Sequence, residues 1–196
     1  SIDRVDKYNG YIRVIDYKTG SKSFKLPDIL FGLNLQMLIY LYAVVRAGGK
    51  DDEKAAGILY MPSKRDLNES GMAMNGLIRS DKDIVAAMDR DMQGEFVPKY
   101  TVTKSGTLSK TCTSFVSAED FSEIFDYIET LMKRTGDGIL SGDIAVSPLD
   151  GREAPACKYC DYAAVCGREN VPCDKVPNIK NDEVINKIRE GKTNGI

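Results

Sequence analysis

A hairpin, an apolar helix and a third strand, in that order, predict an α/β fold in which a crossover helix bridges the strands of one sheet. Three observations carry the prediction. Asn9-Gly10, the strongest short-range hairpin signal, separates two alternating runs over 2–8 and 11–17. The uncharged stretch Ile29–Val45 reads as the heart of a buried helix over 29–47, ended by Gly48-Gly49. The apolar run 55–61 reads as a strand stopped by Pro62.

A two-residue turn at Asn9-Gly10 sets the hairpin register. Tyr8 then faces Tyr11, Asp6 faces Arg13 and Asp3 faces Asp16. Asp3, Val5, Ile12, Val14 and Asp16 fall on one face, and Tyr11, Arg13, Ile15 and Tyr17 on the other. Apolar residues on both faces predict a central, largely covered pair of strands. Residues 19–22 form a loop, and the polar, Gly- and Met-containing stretch 62–80 reads as a longer one. Ser80 is placed to cap a helix over 81–92. The stretches 99–103 and 108–116 flank Ser105-Gly106 and predict a second hairpin. Ser117-Ala118-Glu119-Asp120 resembles a capping box and opens a helix over 118–135, with Phe121, Ile124, Phe125, Ile128, Leu131 and Met132 on one face. Gly136, Gly138 and Gly142 punctuate the chain beyond that helix. Residues 1–170 read as one domain and 171–196 as a polar tail holding a short helix near 182–190.

Composition removes several function classes. The chain has 196 residues, with Lys plus Arg 27 and Asp plus Glu 29 for a net charge of −2. That is not the basic balance of a protein holding nucleic acid by charge alone. With no histidine, a Ser-His-Asp triad and a His-containing zinc site are excluded, and hydrolysis falls to carboxylates, lysine and metal. The stretch Ile29–Val45 carries Asn34, Gln36, Tyr40 and Tyr42 and is short for a membrane span, so no membrane association is expected. The chain opens on a charged strand rather than an export signal, and the expected setting is cytoplasmic. Five unevenly spaced cysteines argue against a disulfide framework.

Two carboxylates directly opposed in a ladder repel unless a cation lies between them. Lys18 lies two residues past Asp16 and projects from the same face. Two carboxylates and an ammonium at one strand end suit a divalent cation and an activated water; they suit a solvated turn as well. Gln36 and Tyr40, four apart, share a helix face and fit either a functional pair or ordinary core packing. Cys157, Cys160 and Cys166 form C-x₂-C-x₅-C, a spacing typical of metal or Fe–S ligation. Three thiolates leave a four-ligand site incomplete, and the fourth ligand is either Cys173 or a group outside the chain. Cys112 reads as structural or free.

Val14-Ile-Asp-Tyr-Lys-Thr-Gly20, thirteen residues after the Asp of Ile2-Asp-Arg-Val-Asp6, closely resembles the nuclease motif of the RecB-like branch of the PD-(D/E)XK superfamily. Gln36-x-x-x-Tyr40 on the next helix resembles that branch's additional motif. The resemblance implies a restriction-endonuclease-like core, a mixed central sheet flanked by helices, here truncated at its N-terminus. It further implies Mg²⁺ (or Mn²⁺) held by Asp3, Asp16 and the carbonyl of Tyr17, a water positioned or activated by Lys18, and DNA touched by Gln36 and Tyr40. The stretch Ser141–Pro148 and the cysteine motif resemble the end of the B subunit of AddAB-type helicase–nucleases. There, three late cysteines matching Cys157, Cys160 and Cys166, with one early cysteine, hold a [4Fe–4S] cluster. The early cysteine and a further metal ligand would precede Ser1, so the cluster is expected to be incomplete or absent in this chain. The resemblance thus implies an exonuclease domain in end resection for recombinational repair, beside an AddA-like helicase–nuclease subunit. A CRISPR-adaptation Fe–S exonuclease and a silent nuclease-fold module for DNA binding or assembly are the alternatives.

Overall fold

The computed structural model describes residues 1–20, 23–47, 53–63, 73–90, 96–103, 108–109, 112–145, 149–150, 157, 160–166, 174–175 and 177–193. The hairpin forms as its turn dictates. Strand β1 (Arg4–Tyr8) and strand β2 (Tyr11–Lys18) pair antiparallel, with Tyr8 opposite Tyr11 and Asp6 opposite Arg13. Asn9 and Gly10 both take positive φ, 49° and 78°, which is what a type I′ turn demands and why Asn-Gly belongs there. Asp6 accepts hydrogen bonds from Arg4 and Arg13. Partial burial pushes its carboxyl upward, but the two guanidinium groups outweigh this and hold it below the ordinary 3.8. A depressed carboxyl stabilises the fold above its unfolded pKa, and that contribution is lost as pH falls through the lower folded value. The hairpin is accordingly expected to loosen on acidification below about pH 4, an effect absent from Asp6→Asn and read from the pH dependence of β1 amide exchange.

The sheet is mixed, in the order β1-β2-β3-β4-β5. Strand β3 (Lys54–Pro62) runs parallel to β2. Strand β4 (Asn75–Arg79) is antiparallel to β3, and β5 (Phe115–Val116) is parallel to β4. The parallel step from β2 to β3 passes through helix α1 (Gln36–Tyr42), so the predicted crossover is present. A mixed sheet flanked by helices is the architecture expected. Helices α2 (Lys82–Met88), α3 (Ala118–Leu140), α4 (Ala163–Cys166) and α5 (Asn181–Thr193) complete it, with a small parallel pair β6 (Leu149–Asp150) and β7 (Asp174–Lys175).

Several expectations are corrected. β1 is an edge strand with Val5 42% exposed; only β2 is central and covered. The single helix over 29–47 is instead a 3₁₀ helix Leu26–Phe31, a reversal through Gly32 and Asn34, α1, and a π turn Ala43–Ala47. Positive φ at Gly32 (72°) and Asn34 (55°) breaks the helix there; Gly48-Gly49 lies outside the described residues. Part of the expected loop 62–80 is β4. The cap of α2 is Asp81, with no side-chain bond to the helix, because Arg79 takes its carboxylate at 2.5 Å. The second hairpin is reduced, among the described residues, to one bridge, Val102 to Leu108. Ser117 caps α3 by accepting from the Asp120 N–H at 3.0 Å, and α3 runs through Gly136 and Gly138 to Leu140.

The core lies mainly on one face of the sheet. Ile12, Val14, Ile58 and Leu77 meet Met37, Leu38 and Leu41 of α1, Phe121, Ile124, Phe125 and Ile128 of α3, and Val184, Ile185 and Ile188 of α5. Each such side chain, fully buried, contributes roughly 1.5–3 kcal/mol. Ile15, Leu59 and Ile78 pack on the opposite face with Met74 and Val97.

Candidate metal centre

The site is built by strand alternation. Ile12 and Val14 enter the larger core, so Asp16 and Lys18, in step with them, project from that face at the strand's end. Asp16 is only 8% exposed. Lys18 Nζ lies 2.5 Å from Asp16 Oδ2. The contact is one of charge rather than direction, for Oδ2 is buried and accepts no aligned hydrogen bond. One step beyond the last pair of the ladder, Arg4 with Ile15, Asp3 comes level with Asp16. Its Oδ2 accepts the Tyr17 N–H at 3.1 Å, which draws the Asp3 carboxylate onto the end of β2.

Tyr60 is a member of this site that sequence reading did not single out. It is the register partner of Asp16 on the parallel strand β3, only 4% exposed. Its ring lies 5.8 Å from Lys18 Nζ, so the ammonium is held between a carboxylate and an aromatic face. An apolar strand gives no sign that its one tyrosine will lie beside a lysine on another strand.

The burial of Asp16 is offset in part by the Lys18 ammonium against its Oδ2. Asp16 and Asp3, at facing positions on the two strand ends, are carboxylate donors of the kind that hard divalent cations take. Among the described residues no group of three Cys, Asp or Glu side chains could hold a metal unaided. A short protein donor set suits Mg²⁺, which keeps several of its waters.

Helix α1 packs on the same face as Asp16 through Met37, Leu38 and Leu41. Gln36 is its first residue, and Gln36 Nε2 donates to the Tyr40 hydroxyl at 3.0 Å. The i, i+4 spacing thus makes one polar unit, with Gln36 exposed and Tyr40 packed in part against the core.

The cysteines stand apart. Cys157, Cys160 and Cys166 are free, the last two exposed, and the Cys160 N–H donates to the Cys157 carbonyl at 3.3 Å. Cys112 accepts from the Thr101 N–H through sulfur at 3.3 Å, and Cys173 lies outside the described residues. The described thiolates form no three-ligand group, so they do not by themselves fit an iron–sulfur cluster.

Among the described residues no helix is long and apolar enough to cross a membrane. The family model of the PD-(D/E)XK nuclease superfamily matches residues 1–167. The chain is 33% identical to the B subunit of the ATP-dependent helicase/deoxyribonuclease of Clostridioides difficile, over 98% of its own length and 19% of that protein's. Proteins of the same name from Alkaliphilus metalliredigens and Clostridium novyi are 30% and 34% identical, over 96% and 84% of this chain. The chain spans only 19% and 16% of those two relatives. The match of the superfamily's model to residues 1–167 takes in the hairpin, its acidic end and α1, and the chain belongs to the PD-(D/E)XK nuclease superfamily.

Proposed function

We propose that the end of β2 is a metal-dependent centre for hydrolysis of DNA phosphodiester bonds. The observation that carries this reading is the convergence at the end of β2 of the buried Asp16 carboxylate, Lys18 Nζ 2.5 Å from its Oδ2, and Asp3 one step beyond the Arg4–Ile15 pair. Asp3, Asp16 and the Tyr17 carbonyl would hold Mg²⁺ or Mn²⁺. Such an ion, when bound, lowers the pKa of water and offsets charge at the phosphate. Lys18, held by Asp16 and the Tyr60 ring, orients the attacking water or takes its proton. Gln36 and Tyr40 present one polar unit toward that water or the strand.

The wider reading is an exonuclease domain in the B subunit of a cytoplasmic ATP-dependent helicase/deoxyribonuclease, acting with an AddA-type partner when double-strand ends are resected for repair. Its support is the name that the relatives carry. Residues 1–170 would form the nuclease domain and 171–196 its C-terminal extension. By the resemblance, Cys157, Cys160 and Cys166 would ligate a [4Fe–4S] cluster only once drawn together with a further ligand from elsewhere, and no step of hydrolysis is assigned to them.

The test is release of nucleotides from end-labelled linear DNA by this chain. Cleavage is expected to require Mg²⁺ or Mn²⁺ and to stop with chelator. Lys18→Met is expected to retain Mn²⁺ binding while losing roughly 10²–10⁴-fold in rate, the range of general acid–base contributions. Undiminished cleavage by Lys18→Met, or cleavage in chelator, would overturn the assignment.

A further inference from the structure

The segment between β2 and α1 contains a buried acid that hydrolysis as described does not use. Asp28 lies in the 3₁₀ helix Leu26–Phe31, 3% exposed, between the buried Pro27 and Ile29. Its Oδ2 accepts a 2.7 Å hydrogen bond from Asn34 Nδ2, and its Oδ1 is buried without a hydrogen-bond partner. Its backbone carbonyl accepts from the Leu33 N–H at 3.0 Å and from the Gly32 N–H. One residue thus grips the reversing chain by both side chain and main chain.

The chain it grips is in an uncommon conformation. Asn34 has φ 55°, the left-handed region, which Asn enters more readily than most L-residues when its side chain is hydrogen-bonded nearby. Two residues later α1 begins at Gln36. Its N-cap, Leu35, is itself helical and makes no side-chain cap bond. A helix start is ordinarily defined by a cap side chain reaching into the first turn. No side chain caps this start; the Asp28–Asn34 bond instead ties down the chain two residues before it. The base of the latch is fixed: Ile29 is fully buried, and the Tyr127 hydroxyl of α3 donates to the Leu30 carbonyl at 3.2 Å. A rigid link therefore runs from the core to the first residue of α1, which is the residue bonded to Tyr40.

We propose that Asp28 and Asn34 are positioning residues: their part-buried hydrogen bond sets where α1 starts and so where Gln36 and Tyr40 stand relative to Asp16 and Lys18. This rests on the end of β2 being the hydrolytic centre. Neither residue is among those proposed to hold the metal or to meet the strand. Their loss misplaces the Gln36–Tyr40 unit without removing a metal ligand, and small misplacements of a positioning group are costly to turnover.

Four variants test it. Asp28→Ala removes the acceptor, whereas Asp28→Asn keeps an oxygen for Asn34. Asn34→Gly removes the amide but tolerates positive φ, whereas Asn34→Ala removes the amide and adds strain. Asp28→Ala and Asn34→Gly are expected to lower kcat about tenfold, within what misplacement of a reacting group costs, with KM and Mn²⁺ affinity unchanged. Asp28→Asn is expected to keep most of the rate. The side-chain amide resonances of Gln36, read by NMR without turnover, are expected to move in Asp28→Ala and to lie near their original place in Asp28→Asn. If Asp28→Ala does not fold, Asn34→Gly decides. An unchanged kcat with unmoved Gln36 resonances in the folded variants, or equal losses in Asp28→Asn and Asp28→Ala, overturns this proposal alone. A wild-type chain that neither binds Mn²⁺ nor cleaves DNA overturns the hydrolytic reading, and this proposal with it.

Discussion

Asp16→Ala is expected to abolish Mn²⁺ binding and strand cleavage together while leaving the fold intact. The metal's share of transition-state stabilisation is several kcal/mol, and each 1.36 kcal/mol or so is tenfold, so the rate should fall by at least about 10³-fold. The fold should tolerate the change because two effects oppose each other. Deleting the carboxylate breaks the Asp16–Lys18 ion pair but also removes the desolvation cost of a buried charge. Lys18, with its side chain 29% exposed, can turn to water when its partner goes. The measurement is thermal unfolding with and without Mn²⁺. A ligand that binds only the folded state raises the midpoint by mass action, so the wild-type protein should shift and Asp16→Ala should not. In chelator the two midpoints should agree, or the variant should be slightly higher. A Mn²⁺-dependent shift that survives in Asp16→Ala would place the ion elsewhere.

Gly76→Ala should be the most damaging single-methyl change among the described strands. A Cβ at Gly76 would lie 2.0 Å from the Ile58 carbonyl oxygen, 2.9 Å from its carbon and 3.0 Å from Leu59 Cα. All three are backbone atoms of β3, so no side chain can swing away and the strands themselves must part. Overpacking of this kind costs about 3 kcal/mol. β3 also carries Tyr60, the register partner of Asp16, so the distortion reaches the site. Gly136→Ala is the matching control: it sits in α3 with nothing within 4 Å of the added carbon, and helix propensity makes it stabilising by about 0.5–1 kcal/mol. Opposite shifts of the unfolding midpoint are expected, and a Gly76→Ala protein as stable as wild type would contradict the close approach of β3 and β4.

What sequence showed and what it hid divides along local and tertiary lines. The hairpin was legible because Asn9-Gly10 sets both turn and register within a few residues, and the alignment of Asp3 with Asp16 follows from that register alone. The capping of α3 was legible for the same reason: Ser117 acts within its own turn. β4 was hidden because Asn75-Gly76-Leu77-Ile78-Arg79 is short, sits in a polar stretch, and becomes a strand only by lying between β3 and β5. The helix over 29–47 was overread because nothing in its apolar pattern reveals that Asp28 will bury itself and bind Asn34. The edge position of β1 depends on strand order, which alternation does not encode. In the site, the ends of one hairpin could be read directly, whereas Tyr60 and Asp28 reach it only through parallel pairing and a chain reversal.

The position of β1 at the sheet's edge has a consequence for the order in which the site comes apart. Asp16 stands on β2, hydrogen-bonded to a neighbour on each side, whereas Asp3 precedes a strand held by β2 alone. Free energies of local opening are smallest where few contacts must break. Fraying of β1 therefore withdraws Asp3 while Asp16 remains seated, at far lower cost than unfolding the sheet. If the two carboxylates hold an ion as proposed, Asp16 would be a fixed post and Asp3 a hinged arm, so an arriving ion would meet Asp16 first and be released by it last.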